Sequence, residues 1–134
     1  MSEAIDRLRA LTEELATQEL LAAIVENLPD ALIVVDDQGS IVFFNKQAEL
    51  TFGYHRSEVR GKPIHMLLPE RFRKAHVEHF ARFVANPRPR PMGQQSQTLL
   101  GLYKTGAEFP VVINLQPHQT SSGLVIAAIV RKEP

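Results

Sequence analysis

Apolar residues recur at helical spacing in the first segment of the chain. Ile5, Leu8, Leu11 and Leu15 follow one another every three or four positions, and charged residues occupy the other side of the projected helix. We therefore predict an amphipathic helix over residues 1–23. Its apolar stripe covers only about two heptads, so it fits a helix that lies on its own domain as well as a seam between two copies of a dimer.

Five short runs of β-branched and aromatic residues follow, each bounded by turn-forming residues. The runs cover residues 31–35, 41–44, 97–103, 108–117 and 124–130. Gly39 and Gly123 stand between neighbouring runs, where a hairpin turn needs a residue that tolerates positive φ. Consecutive hairpins of this kind predict an antiparallel sheet of five strands.

Between the second and third strands the pattern becomes helical. Asn45 is a suitable N-cap for a short helix. The longest helix of this region begins near Leu68 and ends by Asn86, because the proline–arginine stretch at residues 87–91 cannot continue it and predicts a loop. Helices gathered on one face of an antiparallel sheet define an α+β domain, which we place at residues 24–134.

One face of this longest helix carries a histidine among aromatic residues. The face is formed by Phe72, His76, Phe80 and Phe83, at spacings of four, four and three. We expect it to be the buried side of the helix, turned toward a pocket above the sheet. Two interpretations stay open: a structural histidine that hydrogen-bonds a backbone group, and a metal or haem ligand with Phe72 and Phe80 as apolar walls.

Composition and charge narrow the class of protein. The 134 residues suffice for one domain with a hydrophobic core. Fifteen basic and fifteen acidic residues cancel, so no overall field attracts nucleic acid or a membrane surface. Cysteine is absent, which excludes disulfides and thiolate metal sites. No apolar run reaches membrane-spanning length, and we expect a cytoplasmic protein.

The motifs of common catalytic sites are missing. The chain has no glycine-rich phosphate loop, no serine nucleophile elbow and no HExxH metalloprotease motif. Asp36 and Asp37 form a carboxylate pair, but they lie in a predicted hairpin turn, where acidic residues are routine. His76 and His79 can share one helix face, yet no third or fourth ligand stands near them for zinc. We predict a domain without enzymatic activity of its own.

The order of elements and several short motifs resemble a PAS domain over residues 20–131. The motifs are Ile24-Val25-Glu26-Asn27-Leu28-Pro29-Asp30-Ala31, Asp37-Gln38-Gly39-Ser40-Ile41, Phe52-Gly53-Tyr54, Glu58-Val59-Arg60-Gly61-Lys62 and Tyr103-Lys104-Thr105-Gly106-Ala107-Glu108-Phe109-Pro110-Val111. The resemblance implies a sensor domain that passes a signal to an effector such as a histidine kinase, which we expect outside this chain. It also implies a homodimer joined by the preceding helix, here residues 1–23.

Within that family, the His76 helix is most similar to that of the haem-binding FixL-type oxygen sensors. The resemblance places the haem-ligating histidine on His76 and arginines for the two propionates on Arg82 and near Arg90. The arginine that contacts oxygen in that family falls near Gln95 or Ser96, so a glutamine would donate the hydrogen bond instead. The resemblance thus implies a b-type haem gas sensor. The alternative is a PAS module without haem, which serves dimerisation or binds another small ligand, non-covalent flavin included.

Overall fold

The computed structural model describes residues 2–92 and 99–133, which form an antiparallel sheet with helices on one face. The elements are α1 (Ser2–Glu26), β1 (Ala31–Asp36), β2 (Ile41–Phe44), α2 (Lys46–Phe52), α3 (Arg56–Val59), a 3₁₀ turn (Ile64–Leu67), α4 (Glu70–Ala85), β3 (Arg90–Met92), β4 (Leu99–Leu102), β5 (Glu108–Thr120) and β6 (Gly123–Lys132). The strand order is β2-β1-β6-β5-β3, and β4 also pairs with β5. The α+β prediction is confirmed.

The described part of the sheet has six strands, one more than predicted. The prediction of a loop at residues 87–91 was wrong for Arg90 and Pro91, which belong to strand β3. Arg90 pairs with Leu115 and Met92 with Ile113 on β5. Pro91 is tolerated because β3 lies at the end of the strand order, where its missing N–H costs no hydrogen bond to a further strand.

Helix α1 is longer than predicted and stands clear of the domain. Every side chain from residue 2 to residue 24 is exposed, so this length of helix does not lie on its own domain. Its large apolar side chains form two groups: Ile5, Leu8, Leu11 and Leu15 on one side, and Leu20, Leu21 and Ile24 on the other. At about 100° per residue the two groups lie on roughly opposite sides of the helix. In the described part of the chain, no helix has the length and apolar character needed to cross a membrane.

The end of α1 is joined to the sheet by a buried amide. The Oδ1 atom of Asn45 accepts hydrogen bonds from the N–H groups of Leu32 and Ala48, each at 2.9 Å. Its Nδ2 atom donates to the carbonyl oxygens of Val25 at 3.0 Å and Asp30 at 3.2 Å. Asn45 therefore caps α2, as predicted, and also fixes the position of α1 beside β1.

The hydrophobic core lies between the sheet and the short helices. Its buried side chains include Ile33, Ile41, Phe44, Phe52, Leu67 and Ile126. Helix α4 contributes no fully buried side chain, although Phe80 and Phe83 pack against the core while half-buried. The prediction of a buried α4 face is therefore corrected to a half-buried one. The helix stands off from the sheet, because a cavity lies between them.

Candidate ligand cavity

A cavity of about 740 Å³ separates α4 from the inner face of the sheet. Small-molecule sites in proteins commonly measure roughly 300–1,000 Å³. The sheet side is apolar and includes Ile113 and Leu115 of β5 and Ala128 of β6. Phe80 and Phe83 line the α4 side. The pocket predicted between helix and sheet is present, and its size and walls suit an apolar ligand.

His76 lies in the α4 wall of this cavity, with its ring centroid 6.4 Å from that of Phe80. Burial lowers the pKa of His76 to about 4, and the nearby His65 and His79 act in the same direction. The imidazole is therefore neutral at pH 7. Neutral imidazole is the form that ligates metals and accepts hydrogen bonds.

His76 has a partner that the sequence does not indicate, His65. His65 lies on the 3₁₀ turn, and the Nδ1 atoms of the two rings are 2.8 Å apart. Burial, helped by the positive charge of Arg73, also lowers the pKa of His65. His76 lines the cavity and His65 does not, so His65 contacts the His76 ring on the side away from the cavity. The two histidines are 11 positions apart and lie on different elements, so no helical or strand periodicity indicates that they meet.

Three arginines stand at the open side of the cavity. Arg82, Arg88 and Arg90 line it, and all three are exposed. Within residues 2–92 and 99–133, none of the three forms a salt bridge. A guanidinium group binds carboxylates in a forked geometry, so this opening suits an anionic group on the ligand. Arg82 and Arg90 were predicted here, whereas Arg88 was not.

The remaining predicted site residues have different positions. Phe72 lines the cavity, but it is 41% exposed, and the guanidinium carbon of Arg71 lies 4.6 Å from its ring centroid. It belongs to the rim, and its predicted burial was wrong, since it is exposed to solvent and its ring contacts the guanidinium group of Arg71. Gln95 lies outside the described residues. The roles assigned to His76, Arg82 and Arg90 stay predictions.

The donor set favours one kind of metal group over others. Among the described residues, no cluster of three or more His, Cys, Asp or Glu side chains lies close enough to hold a metal ion. A bare ion such as zinc needs several protein ligands, but haem iron needs only one axial imidazole, since the porphyrin supplies the rest. One neutral imidazole, apolar walls and arginines at the opening therefore fit a haem.

Comparison with known proteins places this architecture among sensory domains. The family model of the PAS fold matches residues 19–132. Sensor protein FixL of Bradyrhizobium diazoefficiens is 29% identical over 128 residues, which cover 95% of this chain and 25% of FixL. Oxygen sensor protein DosP of Escherichia coli is 39% identical over 57 residues, which cover 42% of this chain and 7% of DosP.

A solved structure agrees with the fold. The PAS domain of an HTR-like protein from Haloarcula marismortui superposes with a TM-score of 0.76 at 23% identity, covering 93% of this chain and 98% of that structure. The chain spans a quarter or less of the length of the two curated relatives above. These matches concern the sensory domain and not the activity of the whole relatives.

Proposed function

This chain belongs to the PAS family, and on that premise we propose that it is the cytoplasmic input domain of a signal-transduction protein that binds b-type haem through His76 and senses a diatomic gas. The observation that carries the proposal is the neutral imidazole of His76 in the wall of an apolar cavity of about 740 Å³. We assign no catalytic role to its own residues, and an effector such as a histidine kinase would receive the signal.

Each part of the cavity would hold a different part of the haem. Nε2 of His76 is the nitrogen available to the iron, because Nδ1 bonds to His65. The apolar sheet face around Ile113 and Leu115 would cover the macrocycle and exclude water. Arg82 and Arg90 would pair with its carboxylates. When bound, the haem would supply an iron atom that can take up a diatomic gas.

A route from the cavity to α1 is visible in the hydrogen bonds. Ile33 of β1 lines the cavity, and β1 is tied to the end of α1 through Asn45. A separate ionic contact joins the end of α1 to α3, since Nη1 of Arg56 donates to Oε2 of Glu26 at 3.0 Å. A ligand-dependent shift of β1 would therefore change the position of α1. We propose that α1 passes the signal from the domain to the effector.

Titration of the cofactor-free protein with haemin, followed by absorbance, tests the proposal. We expect saturable binding at one haem per chain, and a loss of affinity of at least about tenfold, or about 1.4 kcal/mol, in His76→Ala. His79→Ala is the matched control, because His79 lines the same cavity from the same helix. Equal losses in the two variants, or no haem retained by the unmodified protein, would contradict haem ligation by His76.

The second candidate function is a cofactor-free module that forms a homodimer, and the exposed apolar side chains of α1 favour it. Leu8 is 65% and Leu15 60% exposed, and apolar side chains at heptad-like spacing are typically covered by a partner helix. We propose that α1 pairs with α1 of a second copy along this face. Dimerisation is compatible with haem binding, so the haemin titration and not the oligomeric state decides between the two functions.

Sedimentation equilibrium of Leu8→Glu/Leu15→Glu tests the dimer. We expect the double variant to be monomeric at concentrations at which the unmodified chain is dimeric. Leu21→Glu is the control, since Leu21 is similarly exposed but lies on the opposite side of α1. If Leu21→Glu dissociates the dimer as strongly as the double variant, the first face is not the seam.

A further inference from the structure

The contact between His65 and His76 has only two possible proton arrangements. Their Nδ1 atoms are 2.8 Å apart, and the rings meet edge-on at 75° with centroids 4.9 Å apart. Two imidazole nitrogens at this distance need one proton between them, since two lone pairs or two N–H groups repel. Either His76 donates to His65, and its Nε2 keeps a free lone pair, or His65 donates to His76, and Nε2 of His76 carries the proton.

The surroundings of the two rings favour donation by His76. His76 is the more deeply buried ring and lines an apolar cavity, where a proton on Nε2 would be an unpaired donor. A buried donor without a hydrogen-bond partner is unfavourable, because it has lost its hydrogen bond to water without replacing it. His65 is only half-buried, so a proton on its own Nε2 can reach water. In the described part of the chain, neither ring has another hydrogen-bond partner that would reverse this choice.

The backbone of His65 is fixed by its own element, and the ring of Phe80 packs against the His65 ring. The carbonyl oxygen of His65 accepts a hydrogen bond from the N–H of Leu68 at 3.1 Å, which closes the 3₁₀ turn. The ring of Phe80 meets that of His65 edge-on at 87°, with centroids 6.3 Å apart, and also lies beside His76. His65 is therefore a fixed acceptor and not a mobile side chain that meets His76 by chance.

We propose that His65 is a positioning residue, which accepts the Nδ1 proton of His76 and thereby keeps the Nε2 lone pair directed at the ligand cavity. This inference rests on the proposed haem function for its purpose, but the tautomer is a property of the cofactor-free chain. A hydrogen bond from Nδ1 to a fixed acceptor orients a metal-binding imidazole and makes its other nitrogen more basic. His65 thus sets the strength of the axial bond without touching the ligand.

A matched pair of variants tests this role. His65→Asn places an amide oxygen near the position of the lost Nδ1 and keeps an acceptor, whereas His65→Leu has a similar shape and no acceptor. Nitrogen-15 NMR of cofactor-free protein reads the tautomer of His76 directly. We expect a proton on Nδ1 in the unmodified protein and in His65→Asn, and a shift toward the Nε2 form in His65→Leu. A proton on Nε2 of His76 in the unmodified protein would overturn the proposal, and this result does not depend on the folding of any variant.

The second readout uses ferrous protein reconstituted with haem. Resonance Raman spectroscopy should show a lower iron–histidine stretching frequency in His65→Leu and recovery in His65→Asn. An identical frequency in all three proteins would show that His65 does not act on the axial bond. If the unmodified protein retains no haem while NMR shows the expected tautomers, the proposed haem function fails and the positioning of His76 stands.

Discussion

Acidification should destabilise the cofactor-free protein, because the buried imidazole of His76 takes up a proton only at a lower pH than it does in the unfolded chain. The pKa of His76 is about 4 in the folded chain, against an ordinary value of 6.5 for histidine. Between these pH values the unfolded chain binds a proton that the folded chain does not, so the free energy of unfolding falls as the pH falls. From pH 7 to about pH 4.5 the loss from His76 alone is about 2 kcal/mol. His65, whose pKa is also lowered by burial, adds in the same direction.

The carboxylates of the protein titrate in a separate window. Hydrogen bonds from Arg56 lower the pKa values of Glu26 and Glu49 below the ordinary glutamate value of 4.5. Their contribution to stability is complete above about pH 4.5 and is lost only below it. The interval between about pH 6.5 and pH 4.5 therefore reports mainly on buried histidines.

Urea unfolding followed by circular dichroism at the two ends of that interval measures the effect. The unmodified protein and His118→Gln, which replaces an exposed histidine, should lose about the same stability on acidification. His76→Gln should lose about 2 kcal/mol less, because it has no proton to gain. If His76→Gln shows the same pH dependence as the unmodified protein, the imidazole is not held neutral by burial and the reasoning is refuted.

Two further pairs of variants test the supporting structure by the same unfolding measurement. Asn45→Ala removes four hydrogen bonds and should lower the free energy of unfolding by about 3 kcal/mol. Asn27→Ala removes one exposed hydrogen bond and should lower it by less than about 0.5 kcal/mol. Similar losses in the two variants would contradict the role of the buried amide. Gly53→Ala places a Cβ 2.5 Å from the ring of Tyr103 at φ +82°, whereas Gly61→Ala meets nothing within 4 Å at φ +78°. The second change should cost about 1 kcal/mol and the first at least about 2 kcal/mol more, and equal costs would show that Tyr103 does not restrict this position.

Those parts of the fold that depend on local chemistry were predictable. Runs of β-branched and aromatic residues, together with turn glycines such as Gly39, with φ +80°, indicated the strands and hairpins. Asn45 was recognised as a cap because that role needs only the residues beside it. Strand β3 was missed because the pairing of Arg90–Met92 is decided by β5, a distant segment, against a local composition that favours a loop.

The site divides in the same way. Helical spacing placed His76 and Phe80 on one face of α4, and both line the cavity, since a single helix fixes their relative positions. Arg82, which also lines the cavity, was indicated by the family resemblance and not by spacing. His65 was missed because its contact with His76 joins two different elements, and no periodicity of the sequence indicates how those elements pack. The predicted burial of Phe72 failed for a related reason: its side of α4 was identified, but how far the sheet extends beneath that turn depends on tertiary packing.

An absorption spectrum of haem-reconstituted, reduced protein, recorded before and after addition of carbon monoxide, is the decisive test of haem ligation by His76. We expect a sharp Soret band at one haem per chain that shifts with carbon monoxide and is absent from His76→Ala, while His79→Ala retains it. Protein that stays colourless after removal of free haem, or a His76→Ala spectrum identical to that of the unmodified chain, would contradict haem ligation by His76.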